Sequence, residues 1–201
     1  MTTVAELPAG FADKVLSAQS TFRSVMDAMA RPGSVQRIAS VAGTPAGMMR
    51  GTAALALTLF DHDTPIWLDP AMSATPEAAR WLKFHTSAPV ITDSSIASFA
   101  LVGDPLNLPA LDRFALGSNE YPDRSTTLIL QVESLDGGPV VELQGPGIDG
   151  TTSLRASIQP RDLFERLTFN AALFPRGIDV VLVHDDSIVA IPRTTRLVRG
   201  G

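Results

Sequence analysis

Cysteine is absent from the 201 residues. Its absence excludes disulfide staples, thiolate zinc sites and a cysteine nucleophile, and it fits a reducing compartment. Lysine is nearly absent. Lys14 and Lys83 are the only two, and the remaining basic residues are arginines. Arginine's planar fork suits bidentate anion contacts and interfaces better than lysine does. Long apolar runs are missing as well: "TAALALTLF" is too short to cross a bilayer. "MTTVAELPAG" has no basic segment followed by an apolar run, so it carries no signal-peptide pattern. A net charge of −5 opposes nucleic-acid binding by bulk electrostatics. Together these absences predict a soluble, cytoplasmic protein that engages neither membrane nor nucleic acid.

What is present is an ordinary globular composition, 45% apolar and 18% charged. The length suits one domain with a core that needs no metal or disulfide. We expect a single α/β domain over 1–201, with 1–10 a flexible N-terminus and 197–201 a C-terminal tail. Val15, Ala18, Phe22, Val25, Met26 and Met29 recur at three- and four-residue steps and predict an amphipathic helix. Pro32-Gly33 ends it. "SVQRIAS" reads as a strand and "RGTAALALTLF" as a buried helix. "PIWLD" is a short strand. Thr75 and Pro76 open a helix that buries Ala78, Trp81, Leu82 and His85.

"SFALVG" and "TLILQVES" are strands, the second apolar enough to be central. Asp136-Gly137-Gly138 turns into "PVVELQ" as a hairpin. Pro160 opens a helix whose stripe is Leu163, Phe164, Leu167, Ala171 and Phe174, with Asp162 in its first turn and Pro175 as its stop. "IDVVLV" and "SIVAIP" form a second hairpin around "HDD", with His184 in the turn. The sum is a three-layer α/β/α domain with a mixed sheet.

Gly145, Gly147 and Gly150 in "ELQGPGIDG" carry the G-x-G-x-x-G spacing of a dinucleotide turn. Such a site needs a helix after the glycines to hold the pyrophosphate. "TTSLRASIQP" is not that helix, and Pro146 removes a donor from the loop. The segment reads as a turn between two strands. No P-loop, nucleophile elbow or H-E-x-x-H motif occurs.

Two polar clusters remain. Asp61, His62 and Asp63 in "DHDTP" could bind a metal or a phosphoryl-bound magnesium, or they could form a helix end in which Asp63 bonds local amides. Arg193, Thr194 and Thr195, with Arg196 and Arg199 beyond, could receive a phosphate or form a C-terminal arm.

The order of whole segments is more specific. "AQSTFRSVMDAMARPG", "LALTLFDHDTPIWL", "LKFHTSAPV", "STTLILQVESL", "LQGPGI", "FPRGID" and "AIPRTT" follow one another over residues 10–196. This arrangement resembles the H subunit of the bacterial carbon–phosphorus lyase system. The resemblance implies a cytoplasmic subunit that joins the G, I and J subunits and forms a homodimer when isolated. It implies support for coupling a phosphonate to a purine nucleoside triphosphate, giving a ribose 1-phosphonate 5-triphosphate, with the chemistry on another chain. It implies a fold resembling the pyridoxal-phosphate-dependent transferases. Neither lysine follows a strand into a polar loop, so no cofactor is expected. The candidate residues for a phosphonate or nucleotide ligand are Asp61, His62, Asp63, Arg193, Thr194 and Thr195, and no residue is assigned to catalysis or to a metal. The alternative is a lone enzyme acting on a phosphorylated metabolite through Asp61, Asp63 and Arg193.

Overall fold

The computed structural model describes residues 8–39, 41–74, 76–157, 160 and 162–198. Helix α1 spans Lys14–Ala30 and is capped by Asp13, whose carboxylate accepts from the Val15 and Leu16 amides. It stops at Pro32-Gly33 as expected, and Gly33 has a φ of +82°. Strand β1 (Gln36–Arg37) and helix α2 (Arg50–Leu59) follow. Six residues of α2 in succession, Gly51–Ala56, are buried, which explains why its sequence is apolar on every side.

Strand β2 (Ile66–Leu68) leads into the short helix α3 (Pro70–Ser73) and then α4 (Pro76–Thr86). Thr75, the expected cap of α4, lies outside the described residues. Ala78, Trp81 and Leu82 are buried as read. His85 is only half-buried, and its Nε2 lies 3.2 Å from the Pro8 carbonyl.

Strands β3 (Val90–Ile91), β4 (Phe99–Val102), β5 (Thr127–Gln131), β8 (Asp179–His184) and β9 (Ser187–Ile191) complete a seven-stranded sheet of order β1-β9-β8-β5-β4-β2-β3. The run from β8 to β3 is parallel, while β9 and β1 are antiparallel additions. The sheet is therefore mixed, with β5 at its centre. Leu128, Ile129 and Leu130 are all fully buried, because both faces of that strand are covered.

The period of two sorts the core. Leu101, Ile129, Val181 and Val183 face a layer made from α1, α2 and α4. Ala100, Leu128, Leu130, Val180 and Leu182 face the other way. That second side is covered by helix α5 (Leu163–Ala172) and a separate three-stranded sheet. The small sheet is antiparallel, with β6 (Val141–Gln144) between β10 (Arg196–Val198) and β7 (Thr152–Leu154). The third layer is thus part helix and part sheet, rather than helical throughout.

Several local expectations are corrected. "PVVELQ" does not form a hairpin with β5; β6 pairs with β7 and β10 in the small sheet. The α5 helix starts at Leu163, with Asp162 at its cap position, rather than at Pro160. Leu163 and Leu167 are buried, but Phe174 is 62% exposed. His184 ends β8 instead of sitting in the turn. Asp185-Asp186 makes the turn, with Asp185 at a φ of +49°. On α1 the core takes Thr21, Val25 and Ala28, while Val15, Phe22 and Met26 of the expected stripe face solvent.

The chain ends are held further out than the sequence suggests. Pro8, Ala9 and Gly10 all accept hydrogen bonds, from Trp81, Gly43 and Ala42 respectively. Leu197 and Val198 belong to β10. Residues 1–7, Ser40, Ile158, Gln159, Arg161 and 199–201, Arg199 among them, lie outside the described residues. No helix among the described residues is long and apolar enough to cross a membrane.

Candidate functional site

The six sequence candidates do not converge. Asp61, His62 and Asp63 occupy the exposed turn before β2. The Asp61 carboxylate accepts from the Thr64 hydroxyl at 2.6 Å and the Asp63 amide at 3.0 Å. These bonds, the hydroxyl first, hold the Asp61 carboxyl below the usual carboxylate range. The acid that braces the turn is therefore Asp61, not Asp63. Asp63 instead lies 3.2 Å from His62, and both are largely exposed. The described residues contain no group of three or more His, Cys, Asp or Glu side chains placed to hold a metal ion.

Arg193 follows β9 at the edge where the parallel strands begin. The Asp61 turn precedes β2 on the same edge. Three strand spacings separate β2 from β8, or roughly 14 Å. Arg193 is also fully engaged. It meets Asp179 through Nε and Nη2, the Pro122 carbonyl through Nη1 at 2.6 Å, and the Ser125 hydroxyl through Nη2 at 2.6 Å. It fastens the start of β8 to the loop before β5 rather than facing a ligand. Thr195 is buried, and its Oγ1 has no hydrogen-bond partner among the described residues. Thr194 lines a shallow apolar cleft of about 350 Å³ with Phe174, Pro175 and Pro192.

The glycine loop is structural. Gly147 has a φ of +83°, and a Cβ there would lie 2.0 Å from the Ala30 carbonyl oxygen. A Cβ at Gly145 would lie 2.9 Å from the Thr194 carbonyl oxygen. The loop joins β6 to β7 and seats the end of α1, so Gly145 and Gly147 allow close backbone approach, while Gly150 supplies a φ of +70° in open space.

In an open parallel sheet, ligands usually sit beyond the carboxyl ends of the strands, where the winding direction reverses. Here that place lies between β2 and β4, because β3 and β4 flank β2 on opposite sides. Asp69 fills it. This carboxylate is 2% exposed. Its Oδ1 accepts from the Met72 amide at 2.8 Å, and its Oδ2 from the Gly103 and Asp104 amides at 2.9 and 2.8 Å. Three amides that could cradle an external anion are bound to an internal one. Beside it Gln131 is consumed in the same way: it accepts from the Met49 amide and Thr52 hydroxyl and donates to the Gly47 carbonyl.

Sequence reading missed both groups. Asp69 before Pro70 has the form of a helix cap, but its bonds to residues 34 and 35 positions away leave no local signal.

The fold and its edges define an α/β protein with a mixed sheet, in which a carboxylate of the chain itself holds three of the amides at the usual ligand crevice. By sequence the chain belongs to the bacterial phosphonate metabolism protein family (PhnH), whose model matches residues 9–198. It is 44% identical over 200 residues to the alpha-D-ribose 1-methylphosphonate 5-triphosphate synthase subunit PhnH of Rhizobium meliloti (strain 1021), covering 99% of this chain and 100% of that one. It is 30% identical over 200 residues to HtxG of Stutzerimonas stutzeri, described as a candidate C-P lyase subunit, covering 98% of this chain and 95% of the relative.

Proposed function

We propose that this chain is a subunit of a carbon–phosphorus lyase system. In that role it supports formation of a ribose 1-phosphonate 5-triphosphate from a phosphonate and a purine nucleoside triphosphate. The observation that carries this reading is the end-to-end match to a synthase subunit, with 44% identity and no large unmatched segment. The chain acts as one cytoplasmic α/β domain, pairs with itself when isolated, and enters a larger assembly with the G, I and J subunits. Catalysis resides on another chain. The exposed Asp61 turn, the internally bound Arg193 and the crevice amides held by Asp69 support this division of labour.

The fold is read as a relative of the pyridoxal-phosphate-dependent transferases that carries no cofactor. Lys83 supports this reading, since its Nζ donates to the Ser87 carbonyl at the end of α4, and Lys14 merely opens α1. Homodimer formation is supported by Val15, Leu16, Phe22 and Met26, apolar side chains of α1 that lie between 49% and 65% exposed.

Co-expression with the three partner subunits, followed by size exclusion, tests the assembly. The expected result is co-elution with them. Assay of the purified chain with methylphosphonate and ATP or GTP tests the division of labour, and no turnover is expected. A chain that ignores those partners and converts a phosphorylated substrate unaided would establish the lone-enzyme reading instead.

A further inference from the structure

We infer that the amino-terminal edge of the sheet carries a binding cleft for a tetrahedral oxyanion, built on Arg124 and the hydroxyls of Ser98, Ser125 and Thr127. This deepens the subunit reading above and rests on it for the choice between phosphate and phosphonate. The cleft encloses about 520 Å³ between the starts of β4 and β5. Four hydroxyl side chains line it: Ser95, Ser98, Ser125 and Thr127. Ser95 has already given its proton to Asp93 at 2.7 Å. The Ser98 and Thr127 hydroxyls have no hydrogen-bond partner among the described residues.

Ser125 is the informative member. It is 8% exposed, and its Oγ accepts from Arg193 Nη2 at 2.6 Å. A hydroxyl that accepts from a guanidinium has its own proton left to donate. Arg193 therefore acts behind the cleft, polarising the group that faces it. Arg124 supplies the charge in front. Its guanidinium sits 4.3 Å over the Tyr121 ring and forms no ion pair among the described residues. Stacking fixes the plane of the fork while leaving its N–H edges free. Three hydroxyl donors and a pre-oriented guanidinium match the acceptor pattern of a phosphoryl or phosphonyl group. Asp123, on the rim, is the one carboxylate lining the cleft. It repels the anion from that side.

The test is calorimetric titration of the full chain with inorganic phosphate, methylphosphonate and ATP in separate arms. Phosphate and methylphosphonate should both bind and compete, because the cleft reads the tetrahedral oxyanion itself. Arg124→Gln should weaken both by roughly tenfold or more, the loss expected for a hydrogen bond to a charged group. Thr127→Val should weaken them less, with the melting temperature kept. Arg37→Gln, at the opposite edge of the sheet on β1, should change nothing. Equal losses in Arg124→Gln and Arg37→Gln would overturn the cleft, as would binding confined to ATP or absent from the wild type. Co-elution with the partner subunits is scored separately. A wild-type chain that joins the complex yet binds no anion refutes the cleft alone. One that binds the anion at Arg124 yet joins nothing refutes the subunit reading alone.

Discussion

Arg193 and Asp179 lock the amino-terminal edge of the sheet. Nη2 lies 2.5 Å from Oδ2, each side chain is 14% exposed, and the Arg193 amide donates to Oδ1 at 2.8 Å. Breaking such a pair leaves a nearly buried carboxylate uncompensated. Arg193→Met should cost on the order of 3 kcal/mol in urea unfolding. Arg193→Lys should cost less, since charge survives without the fork. A loss below about 0.5 kcal/mol for Arg193→Met would show that the pair is dispensable.

Gly147→Ala should destabilise the fold without altering nucleotide affinity. The added Cβ would press on the Ala30 carbonyl at a φ only glycine adopts freely. A loss of about 2 kcal/mol or more is expected from thermal melts. Unchanged stability with altered nucleotide affinity would return the loop to the ligand-binding class.

Thr195→Val should leave stability unchanged or raise it by about 1 kcal/mol. The substitution keeps the shape and removes a buried hydroxyl that has no partner among the described residues. A marked loss, measured by chemical denaturation, would mean that the hydroxyl is hydrogen-bonded in solution.

Phe22→Glu combined with Met26→Glu should spare the melting temperature, because both side chains are about half exposed. The same double variant should reduce the mass of the isolated chain in light scattering to that of a monomer. An unchanged mass would remove α1 from the self-association surface.

Thr64→Val should raise the Asp61 carboxyl toward the ordinary carboxylate range, since the Thr64 hydroxyl is the main cause of its depression. The sign follows from linkage. A carboxyl lowered by folding stabilises above its unfolded value, and that contribution is lost as pH falls through the folded one, here below about 4. Carboxyl-detected NMR titration would follow it. An Asp61 that titrates identically in both chains would rule the bond out.

The fold was legible where one strand or helix sets its own environment. The β5 run announced a central strand because both of its faces are buried, and Pro32-Gly33 marked the end of α1 by backbone chemistry alone. The facing of α1 was not legible. Its apolar stripe is broad, and the core selects Thr21 and Ala28, small residues that allow close approach to a neighbouring element. The partner of β6 was equally hidden, since Glu133–Gly138 leads the chain out of one sheet and into another. Candidate groups fared worst. Asp179 meets Arg193 across 14 positions and Asp69 meets Gly103 across 34, so no spacing rule reaches either pair.

Asp69 also changes what evolution can adjust in this molecule. In open parallel sheets the seat beside the reversing strands is usually where a ligand binds. Here a side chain of the protein itself holds the amides at that seat. Variation at Asp69 would be felt first as a loosened junction between two strands, long before any difference in ligand preference. Comparison among relatives should accordingly find Asp69 uniform, with variation falling instead on the outer rims and contact surfaces.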